Sequence, residues 1–173
     1  MVKQWELDQS VEAADWLIGQ AIWAPGTNGD ALRSMKAPGK AYNDPRIGRD
    51  PQPDHMNKFV NLPDTEPGDW GGVHINSGIP NHAFYITAMA LGGHAWERAG
   101  RIWYRALTVH FTSGTNYAAA RLATLNAAAS LYGAGGAEWV AVANAWAKLT
   151  GQRVHRIDVV AALREDDLDF DAA

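Results

Sequence analysis

Cysteine is absent from the 173 residues, which excludes disulfide cross-links, thiolate nucleophiles and cysteine-ligated metals. Long apolar runs are absent as well: no stretch stays apolar for the roughly 20 residues that a helix needs to cross a bilayer. Neither sign of charge dominates. Fifteen Lys and Arg against nineteen Asp and Glu leave a net charge of −4, which gives no preference for nucleic acid or an anionic membrane. The opening MVKQWELDQS is polar and lacks the apolar centre of a secretory signal. No internal repeat is present, and no segment keeps up the period-2 alternation of a half-buried strand.

What remains is an ordinary globular composition, 47% hydrophobic and 20% charged, in a chain long enough for one real core. Eight tryptophans are many for this length. They are expected as core anchors, with some covering a surface that a partner buries. Residues 1–9 read as the tail of a longer helix, too short to stand alone. Residues 24–72 hold seven of the eight prolines and many Gly, Asp and Asn, so this third is expected to be ordered but irregular. Helical patterning then takes over. A helix is expected from residue 76 or 77 to 91, with Ile79, Ala83, Ile86 and Ala90 as its apolar stripe and Pro80 in its first turn. A second is expected over 94–111, with Ala99, Trp103, Ala106, Leu107 and His110 on one face. An Ala-rich third follows over 117–132, capped from the Thr112–Asn116 turn, and a fourth over 137–149 turns Val142 and Trp146 inward. Residues 153–173 differ in composition and read as a tail: a short helix or an acidic disordered end. Short connections between helices make the fold all-α, a bundle-like helical array behind a loop-rich first third.

The stretch richest in chemistry is GDWGGVHINSGIPN, residues 68–81. A glycine pair permits a tight turn or a close approach. His74 follows it, and Asp69 lies five residues earlier, near enough to fold back onto the imidazole. A His oriented by a carboxylate can deliver a proton or a charged hydrogen bond near neutral pH. Spacing alone favours a simpler role for both residues, as caps of the following helix. The string GDALRSM, residues 29–35, places Arg33 after Leu32. By itself Arg33 is one arginine among many, and a lone arginine is more often a solvated charge.

Both strings, in this order, resemble segments of the thermolysin-family zinc metallopeptidases, and GGVHINSGIPNHAFY is most like the protealysin-type branch. The resemblance covers roughly residues 2–152. It implies the mostly helical C-terminal half of that fold. It implies that His74, held by Asp69, hydrogen-bonds the oxyanion of the tetrahedral intermediate, and that Arg33 binds the substrate carbonyl. Leu32 and Ile18 would line the pocket that follows the scissile bond. Trp70 stands where the family often has Asn. Asp15 and Asp30 match calcium ligands of some members, but Leu17, Gln20 and Ala24 replace other ligands there, and calcium wants six to eight oxygens, so calcium is not expected.

A zinc peptidase of this family needs His-Glu-x-x-His on a helix and a third ligand further on. That motif is not in the chain, and His55, His82, His94, His110 and His155 have no spacing that suggests a metal site. The zinc and its ligands are therefore expected in a missing N-terminal half, with peptide or protein as the substrate. The first reading is the C-terminal half of a secreted-type zinc metalloendopeptidase, inactive alone. Secretion is expected for the parent, and a cytoplasmic location stays open. The second reading is a non-catalytic module that docks or self-associates through an exposed wall containing Ile18, Leu32, Trp70 and Val73.

Overall fold

The computed structural model describes residues 1–151. Among the described residues, six helices account for most of the order: α1 (Val2–Glu6), α2 (Asp69–Asn76), α3 (Gly78–Leu91), α4 (Arg98–Arg105), α5 (Tyr117–Tyr132) and α6 (Ala137–Thr150). The strands are four pairs of residues: β1 (Leu17–Ile18), β2 (Arg33–Ser34), β3 (Asn43–Asp44) and β4 (Gly48–Arg49). The fold is all-α, as the pattern of short connections implies. The tail from residue 153, with His155, lies outside the described residues.

The described residues divide into two compact units, one of residues 1–12 and 87–151, the other Ala13–Ile86. The boundary falls inside α3. In the first unit α5 packs on α6, and α4 packs on α5. Asn116 caps α5 by accepting from the Ala119 amide at 2.9 Å. Alanines along α5 and α6 let Trp146 pack fully buried, and its indole N–H donates to the Thr124 hydroxyl at 3.0 Å. Val142 is buried as the pattern requires.

Two elements depart from the sequence pattern. α4 starts at Arg98 rather than at residue 94, and it runs into a π-helical turn, Ala106–His110, closed by the Phe111 amide on the Ala106 carbonyl at 2.9 Å. A π turn adds a residue and rotates the face that follows. Ala99, Ile102 and Ala106 are buried, while Leu107 swings out to 61% exposure. In α3 the buried stripe begins at Ile79 and Ala83 as expected. It continues through Phe84, Thr87 and Ala88, and Ala90 is exposed. The polar type of Thr87 hides this from a hydrophobicity pattern; its hydroxyl is buried with no hydrogen-bond partner among the described residues.

The second unit carries the irregular third, and side chains take the place of ladders there. β1 pairs antiparallel with β2, setting Ile18 opposite Arg33. β3 pairs with β4. Buried Asp44 accepts from the amides of Asn28 (2.8 Å) and Arg46 (2.9 Å) and from the Arg46 guanidinium (2.9 and 2.8 Å). Buried Asp50 accepts from the amides of Gly39 (2.9 Å), Ala41 (3.1 Å) and Gln52 (3.1 Å). Buried Asn76 both accepts from the Val60 amide (3.0 Å) and donates to the Val60 carbonyl (2.8 Å). These bonds satisfy backbone groups that no sheet or helix reaches, which is how a proline-rich segment stays ordered.

Candidate active site

The site is built on a left-handed turn. Asp69, Trp70, Gly71 and Gly72 have φ of 54°, 49°, 78° and 76°. The Trp70 amide donates to Thr65 O at 2.9 Å and the Gly71 amide to Pro63 O at 3.0 Å, which fixes the turn. Right-handed helix resumes at Val73. Two non-glycine residues in this region cost roughly 1–2 kcal/mol each. The effect is to bring the Asp69 carboxylate back over the residues that follow. Its Oδ2 accepts from the His74 amide at 2.9 Å and the Ile75 amide at 3.2 Å. Its Oδ1 lies 2.5 Å from His74 Nδ1. A carboxylate only accepts, so Nδ1 carries the proton and Nε2 is the ring's outward group. The His74 ring, then the amides of Ile75 and His74, hold the Asp69 carboxyl below the usual carboxylate range. Asp69 thus caps the backbone and orients the imidazole at once; the two roles that spacing left open coexist. The His74 side chain is 72% exposed.

Arg33 reaches the same residue. Its Nη1 donates to the His74 carbonyl at 2.8 Å and to Ser77 Oγ at 3.3 Å. The two strings, 41 residues apart, therefore meet at one carbonyl. Ile18, opposite Arg33, and Leu32, beside it, are both exposed, as are Trp70 and Val73. Asp15 accepts from the Leu17 amide at 2.9 Å, a turn contact, and Asp30 donates its amide to Ala41 O at 2.9 Å.

Three further residues of the site carry little signal in the sequence reading. Ser77 donates to the His74 carbonyl at 2.8 Å. Gln52 donates through Nε2 to the same carbonyl at 3.0 Å and to Ser77 Oγ at 2.9 Å. Its Oε1 is buried with no partner among the described residues, at a cost of roughly 1–3 kcal/mol for such an atom. Gly78 lets Gln52 and Pro53 come this close: a Cβ there would lie 2.6 Å from Pro53 O and 2.9 Å from Gln52 Cβ. Only the NSG of residues 76–78 hints at this, as small polar residues before an apolar helix.

Among the described residues, no group of three or more His, Cys, Asp or Glu is placed to hold a metal ion. The histidines have other surroundings: His55 caps a short 3-10 turn, His82 sits 3.2 Å from Asp54 O, and His94 stacks on Trp96. A zinc centre does not fit these residues. No helix among them is long and apolar enough to cross a membrane.

The chain, over most of its length, is matched by a known family. The profile of the thermolysin metallopeptidase alpha-helical domain covers residues 1–150, so the chain belongs to the thermolysin metallopeptidases, as their helical domain. Zinc is that family's metal. The chain is 60% identical over 107 residues to an extracellular metalloprotease of Pectobacterium carotovorum subsp. carotovorum, covering 62% of this chain and 30% of that protein. It is 43% identical over 135 residues to a Bacillus cereus bacillolysin, covering 74% of this chain and 22% of that one. The precursor of protealysin, a metalloproteinase from Serratia proteamaculans, matches with a TM-score of 0.79 and 45% identity over 86% of this chain and 44% of that chain. The chain thus spans less than a third of these curated relatives and less than half of the protealysin precursor.

Proposed function

We propose that this chain is the non-zinc wall of a peptide-hydrolysing cleft, completed by an upstream half that carries the zinc ligands and the carboxylate that activates water. The observation that carries the reading is the double hold on His74: ring and amide by Asp69, carbonyl by Arg33. In this reading Nε2 of the protonated imidazole donates to the oxyanion that forms at the scissile carbonyl. Asp69 keeps Nδ1 protonated and stabilises the positive ring. Arg33 uses Nη1 to fix the turn and turns its other N–H groups to the substrate carbonyl. Ile18 and Leu32, exposed beside Arg33, receive the apolar side chain after the scissile bond. Their exposure, with that of Trp70 and Val73, fits a wall that the upstream half covers.

The chain alone is accordingly inactive and binds no stoichiometric zinc. In the peptidase assembled from both halves, His74→Ala lowers kcat by roughly 100- to 1000-fold with a small change in KM, the scale of losing one oxyanion donor. Arg33→Ala raises KM as well. A fluorogenic peptide assay with metal analysis reads all of these. Unchanged kcat in His74→Ala, or turnover by the chain alone with bound zinc, contradicts the proposal.

A further inference from the structure

The His74 carbonyl has more donors than a turn requires. Arg33 Nη1, Gln52 Nε2 and Ser77 Oγ all point at it, and the first two also share the Ser77 hydroxyl. Gln52 differs from the others in being buried, at 5% exposure. Its amide has one orientation only. Rotated by half a turn, Oε1 would face the His74 carbonyl oxygen, two acceptors against each other. The orientation observed leaves Oε1 buried and unpartnered, so the contacts to His74 and Ser77 decide where the amide points. The backbone of Gln52 is held too, by the Asp50 carboxylate that also ties Gly39 and Ala41.

We infer that Gln52 is a positioning residue for Arg33 and His74. It fills the inner side of the carbonyl and hydroxyl that Arg33 also uses, so the guanidinium is restricted to their outer side, where its remaining N–H groups face substrate. The same bond locks the peptide that follows His74, and with Asp69 on the preceding amide the imidazole has both ends of its residue fixed. The inference rests on the peptidase reading above.

The test uses the peptidase assembled from this chain and its zinc-bearing half, with thermal melting of each chain variant recorded first. Gln52→Met keeps the volume and removes the donor. It is expected to fold and to lower kcat/KM by roughly 10- to 100-fold, the effect of a displacement of about 1 Å in positioned groups. Gln52→Glu is isosteric and reverses the polarity; it repels the His74 carbonyl, draws Arg33 inward and costs at least as much. On an Arg33→Ala background the Gln52→Met loss shrinks to about 2-fold or less, because the two residues act as one unit. Unchanged kcat/KM in folded Gln52→Met, or an equal loss with and without Arg33, overturns the inference. If Gln52→Met does not fold, Ser77→Ala, which removes the shared hydroxyl at a partly buried position, is read by the same criteria. If the assembled wild type shows no turnover, the peptidase reading fails, and NMR of the chain alone decides this inference. A shift of the His74 carbonyl carbon and the Arg33 guanidinium signals in Gln52→Met supports it; unmoved signals overturn it.

Discussion

Three carboxylates in the unit of residues 13–86 are held below the usual range by different partners, Asp54 among them by the Lys58 ammonium. For Asp44 the Arg46 side chain is the main cause, followed by the amides of Asn28 and Arg46; for Asp69 it is the His74 ring. A carboxyl lowered by folding stabilises the folded state above its unfolded value, near pH 4, and that contribution disappears as pH falls through the folded value. The chain is therefore expected to lose melting temperature as pH drops from about 5 to about 2. In Asp44→Asn the starting stability is lower and the fall across that window is smaller, as calorimetry at each pH would read. An equal fall in both proteins would place the acid sensitivity elsewhere. Residues of this kind are poorly legible in sequence. Asp44, Asp50 and Gln52 are polar, and polar residues default to the surface. Their burial follows from bonds to backbone groups 9 to 22 residues away or two residues on, which carry no periodic pattern. His74, Asp69 and Arg33 are legible for the opposite reason: they sit in compact strings whose residue types already pair chemically.

The left-handed turn is the element that makes the site. Its glycines are not equivalent. Gly71 at φ 78° has nothing within 4 Å of a built Cβ, whereas a Cβ on Gly72 would lie 2.8 Å from Asn76 Nδ2, the group that ties the turn to Val60. Gly71→Ala is expected to cost roughly 1–2 kcal/mol from backbone strain alone. Gly72→Ala adds the disruption of the Asn76 clamp and costs more, about 2–4 kcal/mol. Denaturant unfolding of the two variants side by side checks the order, and equal costs would mean that the Asn76 contact does not matter. The sequence shows a glycine pair and a helix after it, but not the hand of the turn: Asp69 is of a type that tolerates a positive φ, whereas Trp70 does not announce one. The longer helices read well: α5 and α6 have Ala-rich interiors, a side-chain cap at Asn116 and glycine ends. α4 reads poorly past Arg105, since a π turn breaks the 3.6-residue period on which any face assignment rests.

At the scale of the whole molecule, a helical domain of a thermolysin metallopeptidase presents an exposed His–Asp pair, an arginine and apolar side chains, with no fitting metal ligands among the described residues. The resemblance of two short strings is enough to place that domain, because they carry chemistry in a fixed order. It says nothing about the three-donor hold on the His74 carbonyl, which exists only once residues 33, 52, 74 and 77 are folded together. The measurement that tests the account most directly is a titration of this chain into a folded upstream half bearing the His-Glu-x-x-His helix, with peptide hydrolysis as the readout. The account predicts no turnover from either half, activity that rises and saturates with this chain, and loss of nearly all of it when His74→Ala is titrated instead. Saturating activity that is the same with His74→Ala, or two folded halves that never hydrolyse peptide together, would contradict it.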